Sequence, residues 1–385
     1  MEEKGKESNN ILIISDTPTH PTTAGNRNLI LSCSRILEKN GYCIKFLYIT
    51  NPFDSKEVLA EMKDFWKENL FIFKTSLLQL LIQRLLFVIA RKVTKNFLSI
   101  NSFCPWGISS RVKELHKQFN FTSIIVNYIW LSHVFDNVDV PNKIVLTHDV
   151  FSHKYLKGNS KWFSFSPSVE SKALQKCNKI LAVQENEAIF FRFLSPFAEV
   201  FTIYCPFQFK KQLIVENNYD LLFFSGENSH NLHGIESFVS NVFTEIKKAF
   251  PNIKLVIGGG ICKSLMSYKD NQSIKLLGRF ENPDDFYVLG NIVINPVFEG
   301  TGLKIKTFEA ISYGKLVLAH PHSFEGVFDP TNIPMIRCES TKDYLNAINE
   351  VINGSISFKI IQKRCEKYIS NMNDVITSRY MQALK

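Results

Sequence analysis

Apolar runs and helical patterns alternate along almost the whole chain. "NILIIS" (10–15) is continuously apolar from Ile11 to Ile14, as a strand buried on both faces requires, and the chain then turns at Asp16, Pro18 and Pro21. "AGNRNLILSCSRILEKNGY" sets Leu29, Cys33, Ile36 and Leu37 on one helical side and stops at Gly41. "CIKFLYIT" is the next strand, completing a βαβ unit whose crossover is right-handed. With "SIIVNY", "KIVLTHD" and "KILAVQ", these runs predict one parallel, doubly wound sheet up to about residue 205. A second series opens with the strand "YDLLFFSG", a helix over "IESFVSNVFTEIKKAFP" and the strand "IKLVIGGG". "SIKLLGRF", "NIVINPVF", "LVLAH" and "PMIRC" continue it, with a helix over 303–313 between two of them. The class is α/β with two Rossmann-like halves, joined near "CPFQFKKQL" and followed by a helical tail from about residue 357.

Length and composition agree with that division. The 385 residues exceed one ordinary core, and 45% hydrophobic with 21% charged content is globular. The divisions expected are a polar tail over 1–10, domains over 11–208 and 209–356, and a C-terminal helix over 357–385. "MEEKGKESNN" at the start has no apolar core and reads as a disordered tail, not a signal peptide, so the expected location is cytoplasmic. Eight cysteines without a CxxC or metal-like spacing read as buried free thiols. A net charge of +9 favours an anionic partner. Nucleic acid is not that partner, because the basic residues are dispersed and no stacking motif accompanies them.

Residues 70–101 hold five Lys or Arg and no acid. Gln79, Gln83, Arg91 and Lys95 form a narrow polar stripe, against a broad apolar side of Leu78, Leu81, Ile82, Leu85, Leu86 and Ile89. Gln79, Gln83 and Arg84 interrupt the run too often for a transmembrane span of roughly 20 apolar residues. Two readings stay open: a core helix, or an interfacial helix lying on the inner face of an anionic membrane through residues 76–98.

Ligands of doubly wound sheets bind beyond the carboxyl ends of strands, and the unusual residue clusters fall there. They are Asp16, Thr17, His20 and Gly25-Asn26; His148-Asp149; Gly226, Ser229, His230 and Asn231; and "EGTGLKIKTFEA" (299–310). In the last, Gly302 lets a backbone turn approach a ligand, and the helix that follows offers free N–H groups to a phosphate. Lys304 and Lys306 suit that helix start only if an anion as charged as a diphosphate sits there. Glu309, one step along the same side, can accept from both hydroxyls of a ribose. The plain alternative is a Lys306–Glu309 surface pair contributing roughly 0.2–0.5 kcal/mol. His320 and His322 read as loop residues, "IGGG" as a strand-to-loop turn, and no metal or cofactor is expected.

"GTGLKIKTFEAISYGKLVLA" followed by "FEGV" resembles the donor-site signature of GT-B-fold retaining glycosyltransferases of the family-4 type, in their bacterial polysaccharide and lipopolysaccharide branch. "SGENSHNLHGIESF", "IKLVIGGG…IKLLGRFENPDDFYVLGNIVINP", "THDVF" and "WFSFSPSVESKALQKCNKILAVQENEA" extend the resemblance over most of the chain. It implies two Rossmann-like domains facing each other across a cleft, acceptor-binding first and nucleotide-sugar-binding second, with the C-terminal helix packing back on the first. The implied reaction is retaining transfer from a nucleotide sugar to a saccharide or lipid-linked saccharide.

The implied roles place Gly25, Asn26, Gly226 and Asn231 on the donor diphosphate and sugar, the last two in the loop that opens the nucleotide-binding half. His148 would lie near the reacting sugar, and Lys306 with it among the catalytic groups. Thr301, Gly302, Leu303 and Lys304 would face the diphosphate, Glu309 the ribose and Arg279 the base. Two features depart from the family pattern. Thr301 stands eight residues before Glu309, where the family often has a second glutamate, and "SGENSHNLHG" lacks the usual Arg and Lys. A non-catalytic sugar-nucleotide-binding subunit and a sugar-nucleotide epimerase of the same fold stay open as alternatives.

Overall fold

The computed structural model describes residues 9–22, 25–93, 100–152, 165–300, 302 and 304–385. Two sites expected from sequence, Thr301 and Leu303, lie outside the described residues, as does Lys95 of the basic segment. The chain divides into two compact units, residues 1–205 with 376–385, and residues 206–375.

In the first unit seven parallel strands lie in the order β3-β2-β1-β4-β5-β6-β7. They are β1 (Asn10–Ser15), β2 (Cys43–Thr50), β3 (Leu70–Lys74), β4 (Ser123–Asn127), β5 (Asn142–Leu146), β6 (Lys179–Ala182) and β7 (Glu199–Thr202). β1 is central, with Ile11 opposite Ile44 on one side and Ser123 on the other. Both faces of β1 are covered, so Ile11, Leu12, Ile13 and Ile14 are all buried, which is why the run is apolar without alternation. Helices α1 (Gly25–Lys39), α2 (Lys56–Trp66), α3 (Leu77–Val93), α4 (Ile108–Phe119), α5 (Pro167–Leu174) and α6 (Glu185–Leu194) flank or connect the strands.

The second unit has six parallel strands in the order β10-β9-β8-β11-β12-β13. They are β8 (Leu221–Phe224), β9 (Leu255–Gly258), β10 (Ile274–Leu276), β11 (Ile292–Asn295), β12 (Leu316–Ala319) and β13 (Met335–Arg337). Helices α7 (Ser229–Phe238), α8 (Thr244–Ala249), α9 (Asp284–Tyr287), α10 (Ile305–Ser312) and α11 (Thr341–Ile352) belong here. The last helix, α12 (Phe358–Ala383), gives its final turns to the first unit. There Tyr380 is buried and Asn142 Nδ2 donates to the Leu384 carbonyl at 3.0 Å.

Three elements differ from the sequence expectation. Residues 70–74 form the edge strand β3, paired with β2 through Phe46 opposite Leu70, and do not begin the basic amphipathic helix. α7 starts at Ser229, ahead of Ile235, because Asn228 caps it by accepting from the Asn231 amide at 2.8 Å. α10 starts only at Ile305, since Gly302 holds a non-helical φ of +80°. All eight cysteines are free, and only Cys43 is exposed.

Helix α3 is turned the opposite way from an ordinary surface helix. Gln79 is buried, donating to the Cys104 carbonyl at 3.2 Å and accepting from the Trp106 amide at 3.0 Å. Leu78, Leu81 and Leu85 instead face outward, 65%, 56% and 59% exposed, with Val88 and Ile89 also exposed. The anchoring glutamine satisfies two backbone groups of the 104–106 turn, so the Gln79 end of the polar stripe faces the protein. No described helix is long and apolar enough to cross a membrane.

Candidate functional site

In the second sheet the chain runs one way from β8 to β9 and the other way to β11, so the switch point lies between β8 and β11. The loops beyond the carboxyl ends of these two strands carry Gly226 and Lys304, and the helices that follow them, α7 and α10, carry Asn231, Lys306 and Glu309. Two helices, α7 and α10, begin there. No side chain caps α10, whose N-cap is Lys304, so its first-turn N–H groups are left without a side-chain acceptor.

Lys306 is the centre of this arrangement. Its ammonium donates to Asn231 Oδ1 and lies 5.4 Å from the centre of the buried Phe223 ring. Asn231 is itself immobilised, its Nδ2 donating to the Gly226 carbonyl at 2.9 Å. Burial lowers the Lys306 pKa to about 7, the Lys304 charge adds to that, and no carboxylate among the described residues offsets it. A cation held without a counter-ion beside two helix starts has the chemistry that suits an anion. The Lys306–Glu309 surface pair does not form here. Glu309 Oε2 accepts from the Tyr287 hydroxyl at 3.1 Å instead, and burial raises the Glu309 pKa.

Tyr287 stacks on Tyr313 with ring centres 4.3 Å apart, and Lys210 and Tyr313 both donate to Asp284 Oδ1. This network holds the tyrosine that orients Glu309. Tyr287 and Phe223 escaped the sequence reading because an aromatic residue in an apolar run carries no sign of which side chain it meets. Glu299, two positions from the motif place held by Thr301, accepts from His233 Nδ1 at 2.9 Å and pairs with His230 Nδ1 at 3.1 Å. Arg279 lies over the Gly259–Gly260 turn, its Nε 3.9 Å from where a Cβ on Gly260 would stand.

The remaining sequence-derived residues gather at the switch point of the first sheet, between β1 and β4. Gly25 opens α1, and Asn26 Nδ2 donates to the Tyr128 hydroxyl at 2.9 Å. Tyr128 stacks on His148 at 4.2 Å and on Trp130 at 4.4 Å. Burial lowers the His148 pKa to about 3, so the ring is neutral. Its Nε2 meets Asn127 Oδ1 at 3.1 Å, and Asn127 Nδ2 is committed to the Ile14 carbonyl. The proton therefore sits on Nε2, and Nδ1 is left as an acceptor for a hydroxyl. Asp149 accepts from the Val150 amide at 3.1 Å. Asp16, just past β1, accepts from Trp130 Nε1 at 2.8 Å. It keeps surface open to solvent, yet crowding strips its carboxyl of hydration and pushes its pKa up to about 6.

Residues 219–353 match the model of the family described as Glycosyl transferases group 1. The match lies within the second unit. The fold of the chain is that of the GT-B glycosyltransferases. Similar solved structures are Anabaena HepE in complex with UDP (14% identity, TM-score 0.64, covering 97% of this chain and 98% of that one) and sucrose-phosphate synthase from Thermosynechococcus elongatus (14%, TM-score 0.62, 97% of each). The pneumococcal O-GlcNAc transferase GtfA in complex with UDP and GlcNAc is similar too (11%, TM-score 0.62, 98% and 99%). At these identities the likeness is one of fold. No curated protein matches the chain. The matched domain contains the Lys306 site.

Proposed function

We propose that this chain is a retaining glycosyltransferase that moves a sugar from a nucleoside-diphosphate donor to a saccharide or lipid-linked saccharide in cell-surface glycan assembly. The observation that carries the reading is Lys306, a cation held without a carboxylate partner at the switch point of the unit that the glycosyl transferases group 1 model matches. As the glycosidic bond breaks, negative charge develops on the leaving diphosphate. Lys306, Lys304 and the first-turn N–H groups of α10 stabilise it there. Glu309 accepts from the ribose hydroxyls, and Thr301, Gly302 and Leu303 offer backbone to the phosphates. Gly226 and Asn231 shape the loop behind them, and Arg279 faces the base. Gly25 and Asn26 face the donor phosphate and sugar, while His148 takes a sugar hydroxyl at Nδ1. No metal or cofactor is assigned a step.

HepE and GtfA were crystallised with UDP, so UDP leads the nucleotides to be tried. In a thermal-shift series with UDP, GDP, dTDP and ADP, one diphosphate is expected to raise the melting temperature, by an amount equivalent to about 2.7 kcal/mol at a hundred times its Kd. The matching nucleotide sugar should then yield a product with the donor's anomeric configuration by NMR. Four silent nucleotides refute the proposal.

The lysine also predicts a proton linkage. Its folded pKa of about 7 lies below the ordinary 10.5, so the folded protein binds fewer protons than the unfolded chain between those values. The cost of burying the charge is thus full below pH 7 and is relieved as pH rises toward 10.5. A bound diphosphate restores the proton, so nucleotide affinity should weaken as pH rises above about 7. Calorimetry at pH 8 in two buffers of different ionisation enthalpy should show uptake approaching one proton, and none in Lys306→Met.

We place the membrane contact on α3. Its outward leucines are accompanied by Arg84, Arg91, Lys92 and Lys95, and no Asp or Glu occurs between Glu68 and Glu114. That pairing of apolar surface with unopposed positive charge suits an anionic lipid surface. The double variant Leu81→Glu/Leu85→Glu should stop co-sedimentation with phosphatidylglycerol vesicles without changing the melting temperature. Equal binding by the wild type to neutral vesicles, or a dimer that this variant dissociates, would assign the face to another occupant.

A further inference from the structure

One face of α10 carries more than the anion site uses. Lys306, Glu309 and Tyr313 stand at intervals of three and four, so they share that face. Tyr287, at the end of α9, meets it twice. Its ring stacks on Tyr313 with centres 4.3 Å apart, and its hydroxyl donates to Glu309 Oε2 at 3.1 Å. Tyr287 is fully buried and also stands edge-on to Phe224 at 5.9 Å, so the ring cannot turn away. Burial beside Glu309 lifts its pKa well above the ordinary value, so the hydroxyl keeps its proton and stays a donor. Behind the stack, Lys210 Nζ donates to Asp284 Oδ1 at 2.6 Å, and the Tyr313 hydroxyl donates to the same oxygen. The pair of rings is thus held from both sides.

This backing decides what Glu309 needs from a ligand. An ionised carboxyl offers roughly four acceptor sites, and Tyr287 fills one of them. Glu309 keeps some surface, yet crowding strips water from its carboxyl and raises its pKa. Lys210 acts on it through charge alone, since the ammonium is paired with Asp284. A carboxylate in that state takes its remaining donors from the ligand, and a vicinal diol supplies two. A ligand with a single hydroxyl leaves a dehydrated acceptor unpaired, and sites built this way reject such analogues strongly. Holding Oε2 also stops the carboxyl from rotating to share one hydroxyl between its two oxygens.

We propose that Tyr287 is a positioning residue that makes both ribose hydroxyls obligatory, so that the donor is a ribonucleoside diphosphate sugar and 2′-deoxy donors are refused. The inference rests on the glycosyl-transfer reading of the Lys306 site, with Glu309 facing the ribose. Tyr287 touches no substrate in this scheme and acts through the carboxylate that it orients. Of the four nucleotides named above, dTDP is the one excluded, because its sugar keeps only the 3′-hydroxyl.

The test is calorimetric titration of the full chain with UDP, GDP and ADP, each beside its 2′-deoxy counterpart, and with dTDP. The ribonucleotide that binds should do so about 10–100-fold tighter than its deoxy form, as loss of a hydrogen bond to a charged group does. This wild-type ratio needs no variant. In Tyr287→Phe, which keeps the stacked ring, the ratio should shrink about tenfold, because ribonucleotide affinity falls while deoxynucleotide affinity holds. A tyrosine that only supports the fold would lower both affinities alike, and an unchanged ratio overturns its positioning role. Equal binding of the two sugar forms, or binding of dTDP alone, overturns the donor class and leaves glycosyl transfer standing. Silence of every nucleotide refutes the transfer reading and the donor class with it.

Discussion

Replacing Lys306 by Met is expected to cut turnover by about 10²–10³-fold, the usual loss when one preorganised stabiliser of developing charge is removed. The melting temperature should stay within a few degrees of wild type. Two local effects oppose each other. Removing the ammonium relieves the desolvation that lowers its pKa to about 7, while Asn231 Oδ1 loses its donor. Methionine fills the stem's volume against Phe223, so no large cavity opens. The measurement pairs steady-state kinetics with calorimetric melting. A variant that keeps full activity removes Lys306 from the chemistry, and one that melts far lower makes it a structural residue.

The second large effect is on stability. Gly259→Ala should lower it by about 2–5 kcal/mol, through a strained backbone and an overpacked contact. Gly259 sits at φ +98°, and a Cβ there would stand 2.2 Å from the Ser225 carbonyl oxygen. Neither side can yield. The Gly259 amide donates to the Gly278 carbonyl at 2.6 Å, and the Ser225 amide donates to the Gly258 carbonyl at 3.1 Å. In a unit of this size the melting temperature should fall by about 2–4 °C per kcal/mol. Gly226→Ala is the contrast, because nothing lies within 4 Å of its Cβ position and its φ is not in the left-handed region. It should melt like wild type. Equal melting of the two variants would mean that the turn under Arg279 can relax.

Much of the framework was legible from the order of residues. A parallel strand covered on both faces is apolar along most of its length, so β1, β4, β5, β8, β9, β11 and β12 announced themselves as apolar runs. The edge strands β3 and β7 did not, because half-buried edges relax that demand, and "LFIFK" merged with the helix that follows. Glycine turns and helix starts are local, so the anion site at "EGTGLKIKTFEA" could be placed before any contact was known.

What the side chains of that site touch was not legible. Lys306 finds Asn231 and Glu309 finds Tyr287, partners 75 and 22 positions away, and only the packing of α7, α9 and α10 around the β8–β11 switch point brings them together. The pairing of Asp16 with Trp130, 114 positions apart, is of the same kind. Helix α3 shows the limit most directly. Its sequence shows two unlike faces, but periodicity carries no sign for which of them meets the protein. Gln79 and its bonds to Cys104 and Trp106 decided that, leaving the leucines outside. Thus the sequence by itself determined the strands, the helix starts and the charges, which depend on neighbours along the chain. The tertiary structure decided the partners and the facing of each surface, which depend on neighbours in space.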